Sequence, residues 1–171
     1  MASKLNKGLG LAWGKVQDLF ARSFHFPVTR GGLVHAMHRL ARKVEPTYKA
    51  MTAHVRGSPI VSADETSWRV GGLRHWLHAF VTLQATVYII RAGRGFPEAS
   101  EVLGEDYAGV LNRDGWAPYR RFLLALHQTC LAHLDRRARD LIDAAERGQA
   151  KFPHAVLRVL RAAFDLRRRR D

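Results

Sequence analysis

The chain is poor in cysteine and has no long apolar run. It contains a single cysteine, Cys130, so a disulfide framework is excluded and a reducing compartment is indicated. No uninterrupted apolar stretch approaches the roughly 18 residues that a membrane span needs. The apolar stretch near the N-terminus is short and broken by Gly8, Gly10 and Gly14, unlike that of a signal peptide. These absences predict a cytoplasmic protein without a membrane partner.

Acidic residues are scarce at both ends of the chain. Residues 1–63 hold ten Lys/Arg against Asp18 and Glu45, and the chain from Phe152 onward holds six arginines against Asp165 and Asp171. The formal net charge is +13, while the middle of the chain is nearly neutral. Basic flanks around a neutral centre favour a protein that grips phosphates, although charge alone fits a basic soluble surface equally well.

The first third of the chain has helical periodicity. Apolar residues recur at helical spacing over residues 11–24 and again from Gly31 to Glu45. Pro46 stands in a favourable first-turn position for a further short helix, from Thr47 to Val55. The sequence therefore predicts a helical, basic segment over residues 1–57.

From residue 58 to residue 171 the pattern changes to alternating strands and helices. The predicted strands are Ile60–Ala63, Trp68–Val70, Leu73–Val81, Thr86–Arg91, Gly109–Leu111 and His127–Thr129, with a hairpin turn at Gly71-Gly72. The predicted helices are Pro97–Leu103, Trp116–Leu124, Leu131–Arg147 (ended by Gly148) and one opened by Pro153. This order predicts an α/β fold, a mixed sheet flanked by helices. It is compatible with a ribonuclease-H-like core, whose first three strands form a meander.

Two aspartates are the strongest candidates for a functional site. Asp64 and Asp114 each follow an apolar β-type run, and each is expected to open a turn. Carboxylates at adjacent strand ends can share a divalent cation, and oxygen ligands suit Mg²⁺ or Mn²⁺. Two such ions about 3.5–4 Å apart can clamp the reacting oxygens of a phosphodiester. The alternative is that each aspartate only caps a turn. Glu65 should face away from Asp64 by strand alternation, which favours a salt bridge or a surface position for it.

Three motifs resemble transposases of the insertion-sequence-66 family. They are Ser58–Val70 with the following Gly72 and His75-Trp76-Leu77, then Gly109–Tyr119, then His127–Leu134. The upstream segments Val28–Leu33 and Glu45–Tyr48 are similar to the helical part that precedes the catalytic core of that family. The resemblance spans residues 15–147.

The resemblance implies a DDE-type DNA transposase. Asp64 and Asp114 would be its first and second catalytic acids and its metal ligands, in a site for two Mg²⁺ (or Mn²⁺) ions. The implied partners are transposon-end and target DNA, and a homo-oligomer is left open. The third acid of the family is a glutamate in a downstream Asn-Asn-containing motif, which this sequence does not contain. The expectation is therefore a copy truncated before the third acid, which is inactive in cleavage by itself.

Two other functions stay open. One is a non-catalytic DNA-binding remnant that modulates an intact transposase. The other is a nuclease in which Asp140 or Asp143 completes the site with Asp64 and Asp114.

Residues near the second acid have two interpretations each. Cys130 and His133 match a Cys-x-x-His pair found in many DDE transposases, which implies a structural role near the site rather than the zinc site that His127, Cys130 and His133 could suggest. Arg136, Arg137 and Arg139 either contact DNA phosphates or pair with acids of their own helix. Trp116 and Tyr119 are expected to pack onto the sheet, with stacking on DNA bases as the alternative.

Overall fold

The computed structural model describes residues 1–146 and 150–170, and its contacts divide the chain into two compact units, Met1–Ala50 and Met51–Asp171. The boundary between residues 57 and 58 expected from the sequence stays a prediction. Among the described residues, no helix is both long enough and apolar enough to cross a membrane. The cytoplasmic location stays a prediction as well.

The N-terminal part of the chain is helical. A short π-helical turn, Lys4–Gly8, precedes α1 (Trp13–Phe24) and α2 (Arg30–Arg56). The prediction of two helices separated at Pro46 is wrong, because α2 continues through that residue. Proline lacks an N–H and so leaves the carbonyl of Arg42, four residues earlier, without its helical partner. Arg42 and Pro46 both lie on an exposed stretch of the helix, where water can solvate such a carbonyl.

A five-stranded mixed sheet forms the centre of the second unit. The strands are β1 (Ile60–Val70), β2 (Leu73–Val81), β3 (Thr86–Arg91), β4 (Val110–Arg113) and β5 (Leu126–Thr129). Their order in the sheet is β3-β2-β1-β4-β5. Strand β2 pairs antiparallel with both β1 and β3, whereas β4 pairs parallel with both β1 and β5. A three-stranded meander extended by two parallel strands is the predicted ribonuclease-H-like sheet. The α/β fold class is confirmed.

The turn between β1 and β2 explains why the hairpin forms where the sequence predicts it. Gly71 has φ 56° and Gly72 has φ 83°. Positive φ at both central residues is the requirement of a type I′ turn, whose twist matches that of the two strands. Nine residue pairs follow from this turn without interruption, from Val70↔Leu73 to Ser62↔Val81.

Three helices accompany the sheet: α3 (Phe96–Leu103), α4 (Leu131–Asp143) and α5 (Lys151–Arg170). The hydrophobic core unites one face of the sheet with α3 and the segment after β4. Its fully or nearly fully buried side chains include Val61, Ala63, Phe80, Val87, Phe96, Val102, Leu103, Leu111, Tyr119 and Phe122. Helix α4 packs against α5, and both contribute buried residues: Ala138, Leu157 and Leu160.

Three boundaries differ from the prediction. Asp64 does not end a strand, because β1 runs on to Val70. The predicted end reflects a change from apolar to polar residues, but a strand with one exposed face alternates and does not need to stay apolar. The predicted helix Trp116–Leu124 is only a 3₁₀ turn, Ala117–Arg121, since Phe122 leaves helical geometry with ψ 78° and is fully buried. Helix α4 ends at Asp143 rather than at residue 147, and the predicted end at Arg147 and Gly148 lies outside the described residues.

Candidate metal centre

The register of the parallel strands gives Asp64 and Asp114 corresponding positions, each two residues after the last β1–β4 pair. Strand β1 pairs with β4 as Ile60↔Val110, Val61↔Leu111 and Ser62↔Asn112, a constant offset of 50 positions. Two residues beyond the last pair, the same offset joins Asp64 to Asp114. The Asn112 side chain donates a hydrogen bond of 3.0 Å to the Ser62 hydroxyl, so the polar face of the sheet begins directly below the two aspartates.

Asp64 lies in the middle of β1 on the face away from the core. Its neighbour Ala63 is buried, whereas the Asp64 side chain is 58% exposed. One carboxylate oxygen, Oδ1, accepts the Glu65 backbone N–H at 2.9 Å. The other, Oδ2, lies 3.9 Å from Nε2 of His133. An exposed carboxylate with one lightly engaged oxygen is suited to bind a cation.

Asp114 follows the last residue of β4, as predicted, and opens a turn. Its Oδ1 accepts the backbone N–H of Trp116 at 2.7 Å. A carboxylate that bonds the N–H two residues ahead forms an Asx turn, which fixes the side chain relative to its own backbone. The second oxygen is left for another ligand.

Glu65 turns away from Asp64 and into the protein, as strand alternation predicts. Its side chain is 1% exposed and accepts two hydrogen bonds, from Nε of Arg94 at 2.8 Å and from the hydroxyl of Tyr119 at 2.9 Å. Burial, together with the negative charge of Glu65, raises the pKa of the Tyr119 phenol far above its usual range. The carboxylates of Asp114 and Asp64 add to this increase in pKa, so both act electrostatically on the same phenol. The expected salt bridge of Glu65 is present, but it is buried rather than superficial.

The Arg94 guanidinium contacts side chains on β1, on β2 and in the turn after β4. It lies 4.6 Å from the ring centre of Trp76 on β2 and 4.2 Å from that of Trp116, two residues after Asp114. The indole N–H of Trp116 donates in return to the Arg94 carbonyl at 3.1 Å. One arginine thus connects β1, β2 and the turn after β4. Sequence reasoning missed Arg94 and Trp76. The available signal was Glu65 itself, because a strand glutamate on the core face requires a cation.

Cys130 and His133 lie at the start of α4, beside the same sheet edge. The pair Arg113↔Thr129 between β4 and β5 puts Cys130 level with Asp114, and the Cys130 N–H donates to the Arg113 carbonyl at 2.8 Å. Cys130 is the N-terminal cap residue of α4, and His133 is in its first turn. The buried Nδ1 of His133 has no hydrogen-bond partner in the described part of the chain. The structure brings His133 close to Asp64, while the structural role of Cys130 and His133 stays a prediction.

Comparison with known proteins decides the family. The family model "Transposase IS66 family" matches residues 1–170. The chain belongs to the IS66 transposase family. This confirms the family that the three motifs predicted. No curated protein matches the chain.

Two solved viral structures are weakly similar to this transposase. The HTLV-2 integrase catalytic core domain in complex with magnesium (dimeric form) is similar at 16% identity and a TM-score of 0.34, over 57% of this chain and 81% of that chain. A chain of the simian T-cell lymphotropic virus intasome in complex with PP2A regulatory subunit B56 gamma is similar at 13% identity and a TM-score of 0.35, over 92% and 67%.

The arginines of α4 in this transposase differ from one another in their partners. Arg139 forms an ion pair with Asp135, four residues earlier, at 2.7 Å, and its hydrogen bond lowers the pKa of the Asp135 carboxyl. Of the two interpretations of Arg139, the structure shows the ion pair with an acid of its own helix. Arg136 and Arg137 are exposed, and the Arg137 guanidinium reaches the turn at Gly115, directly after Asp114. Their contact with DNA stays a prediction.

Among residues 1–146 and 150–170, no group of three or more His, Cys, Asp and Glu side chains is arranged to hold a metal ion. This argues against the zinc site considered for His127, Cys130 and His133. It also gives Asp140 and Asp143 no support as third ligands.

Proposed function

We propose that this chain is the DNA-binding core of a DDE transposase in which Asp64 and Asp114 hold Mg²⁺ or Mn²⁺. The observation that supports this best is the constant register of β1 and β4, because Asp64 and Asp114 each follow its last pair by two residues. Family membership supports the substrate, which is the DNA of transposon ends and target sites.

The residues present fit a hard divalent cation. Each aspartate keeps one carboxylate oxygen outside its own backbone hydrogen bond. Carboxylate oxygens are the ligands that Mg²⁺ prefers, and Mg²⁺ commonly keeps several waters, so two protein ligands suffice to hold one ion. When bound, the metal would polarise a phosphodiester and stabilise the charge that develops on its oxygens.

The surrounding residues position these ligands. Glu65 and Arg94 fix the backbone beside Asp64, and Trp116 fixes the turn of Asp114. Arg137 lies beside that turn and carries a positive charge to the place where a DNA phosphate would approach.

A second candidate function is a DNA-binding protein without cleavage. The observation in its favour is that no group of three or more His, Cys, Asp and Glu side chains in the described residues is arranged to hold a metal ion. The family resemblance implies a third acid for strand transfer, and its motif does not occur within residues 1–171. We therefore expect this polypeptide alone to bind DNA and metal but not to cut DNA. Truncation of the copy stays a prediction.

Metal binding tests the metal centre, and cleavage separates the two functions. Mn²⁺ titration should show at least about tenfold weaker binding in Asp64→Asn and in Asp114→Asn. Asp106→Asn, an exposed acid before β4, is the matched control and should bind as the wild type does. Equal Mn²⁺ binding by all four proteins would refute the metal centre.

A nicking assay with Mg²⁺ or Mn²⁺ on a transposon-end duplex then tests cleavage. Nicking that is lost in Asp64→Asn would show that another residue completes the site. Nicking that is absent, with salt-sensitive DNA binding retained, would support the non-catalytic function.

A further inference from the structure

The β1–β2 hairpin projects beyond its neighbours in the sheet. Strand β3 pairs with β2 only as far as Trp76↔Arg91, and β4 pairs with β1 only as far as Ser62. The pairs Trp68↔His75, Arg69↔Arg74 and Val70↔Leu73 therefore form a free two-stranded ribbon that ends in the Gly71-Gly72 turn. We call residues 67–76 the ribbon tip.

Two arginines face each other across the ribbon tip. Arg69 and Arg74 are direct cross-strand partners, and like charges in that arrangement destabilise a hairpin. In the described part of the chain, neither arginine forms an ion pair. No acidic residue occurs between Glu65 and Glu98, a stretch that contains four arginines. The fold thus maintains an uncompensated double positive charge at an exposed end.

Both guanidinium groups are held in place by neutral partners. Arg69 donates to the Gly72 carbonyl at 3.0 Å, and Arg74 lies 5.0 Å from the ring centre of Trp76. With Ser67 and Trp68 they line an open cavity of about 730 Å³. Preorganised arginines around an open, hydroxyl-lined space are suited to phosphate oxygens, which the fork of a guanidinium binds with two hydrogen bonds.

The ribbon tip continues the strand that carries Asp64. Trp68 is four residues further along β1 on the face of Asp64, about 13 Å away at the rise of a strand. By strand alternation, Arg69 and its partner Arg74 lie on the opposite face of the ribbon. The Trp68 side chain is 46% exposed, and Val70 and Leu73 at the turn are 45% and 71% exposed. A duplex with a phosphate at Asp64 would reach the tip within about four base pairs, at 3.4 Å per step. The major groove is wide enough to admit a two-stranded ribbon.

We propose that the ribbon tip is a DNA-contacting element that enters a groove of the duplex leading away from the metal centre. Trp68 lies on the side of Asp64, and Arg69 and Arg74 bind backbone phosphates on the other side. This inference rests on the proposed function, since it places the DNA by reference to Asp64. It adds a binding surface and assigns a role to Arg69 and Arg74.

The test uses the full chain and fluorescence anisotropy on a 30-base-pair duplex over a range of salt concentrations. Arg69→Ala/Arg74→Ala should weaken binding by about tenfold or more and lower the salt slope by about 2, because each lost phosphate contact removes about 0.9 from the slope. Arg69→Lys/Arg74→Lys should restore most of the slope. Arg120→Ala/Arg121→Ala removes the same charge from two exposed positions outside the basic flanks and should leave the slope close to that of the wild type.

Thermal unfolding shows whether the substitutions impair folding. The alanine pair should unfold within about 4 °C of the wild type, since relief of the repulsion offsets the lost neutral contacts. Affinity and slope unchanged in Arg69→Ala/Arg74→Ala, with a wild type that binds DNA, would overturn the ribbon proposal and leave the proposed function intact. An equal loss in the Arg120→Ala/Arg121→Ala control would show that net charge alone explains the weaker binding, and would also overturn the ribbon proposal. A wild type that binds no duplex would overturn both proposals.

Discussion

Replacement of Arg94 by methionine removes the cation that faces Glu65 and keeps an apolar side chain between Trp76 and Trp116. The Glu65 side chain is 1% exposed and that of Arg94 is 28% exposed. Loss of one partner of a buried ion pair typically costs about 3–5 kcal/mol, because the other charge stays buried without compensation. The Tyr119 hydroxyl continues to donate to Glu65, and water reaches the Arg94 position. We therefore expect a loss at the lower end, about 3 kcal/mol in the free energy of unfolding.

A double-mutant cycle tests this value. Urea unfolding followed by tryptophan fluorescence reports mainly on the second unit, which holds three of the four tryptophans. In Glu65→Gln/Arg94→Met the buried charge is gone. The double variant should therefore be less destabilised than the sum of the single variants, by about 1.5 kcal/mol or more.

Arg121→Met is the matched control for the lost arginine. Arg121 also lies over an aromatic ring, Phe96, at 4.2 Å, and forms no carboxylate ion pair in the described residues. That variant should lose about 1 kcal/mol or less. An Arg94→Met variant that loses no more than this control, with no coupling to Glu65, would refute a buried ion pair. The Arg94→Met variant should also bind Mn²⁺ about 10- to 100-fold more weakly, because loss of groups that orient metal ligands generally has an effect of this size.

Three further outcomes are expected. The folded-state pKa of Tyr119 lies above its ordinary value of 10.0, so the phenol ionises first in the unfolded state as the pH rises. Its contribution to the free energy of unfolding is therefore fully present below about pH 10. That contribution falls by about 1.4 kcal/mol per pH unit above pH 10. Tyr119→Phe should show a flatter decline in alkaline urea titrations, and identical slopes would contradict this. His133→Ala should alter Mn²⁺ affinity less than Asp64→Asn does if His133 only positions its neighbours, as competition titration will show. Gly72→Val should lower the unfolding midpoint by several degrees, measured by circular dichroism, because valine resists the φ of 83°.

The sequence predicted the sheet well because its signals are local. A Gly-Gly pair between β-rich runs gives the hairpin, and the apolar run before Asn112 gives the short parallel strand. The continuity of β1 through Asp64 was missed, since polar residues on an exposed strand face look like the start of a loop. The continuity of α2 through Pro46 was missed because solvent around that stretch is not visible in the sequence.

The support of the site could not be predicted from local pattern. Glu65 and Arg94 are 29 positions apart, and Glu65 and Tyr119 are 54 apart. Their meeting depends on the sheet order and on the turn after β4. The two aspartates were found because each follows an apolar run, but their corresponding positions depend on the 50-position offset of β1 and β4. That offset is a property of strand pairing and is not visible in either strand alone.

Asp64 and Glu65 are adjacent acids with opposite environments, and strand register decides between them. A slip of one residue in the pairing of β1 would bring Asp64 to the core face and Glu65 to the exposed face. Asp64 has the shorter side chain, so in the core it would be poorly placed to meet both Arg94 and Tyr119. Two features prevent this slip. The type I′ turn at Gly71-Gly72 fixes the register of β1 with β2, and the buried pair with Arg94 stabilises only the register that directs Glu65 inward. The same ion pair therefore supports the fold and directs Asp64 toward the solvent, where a metal and a DNA phosphate can reach it.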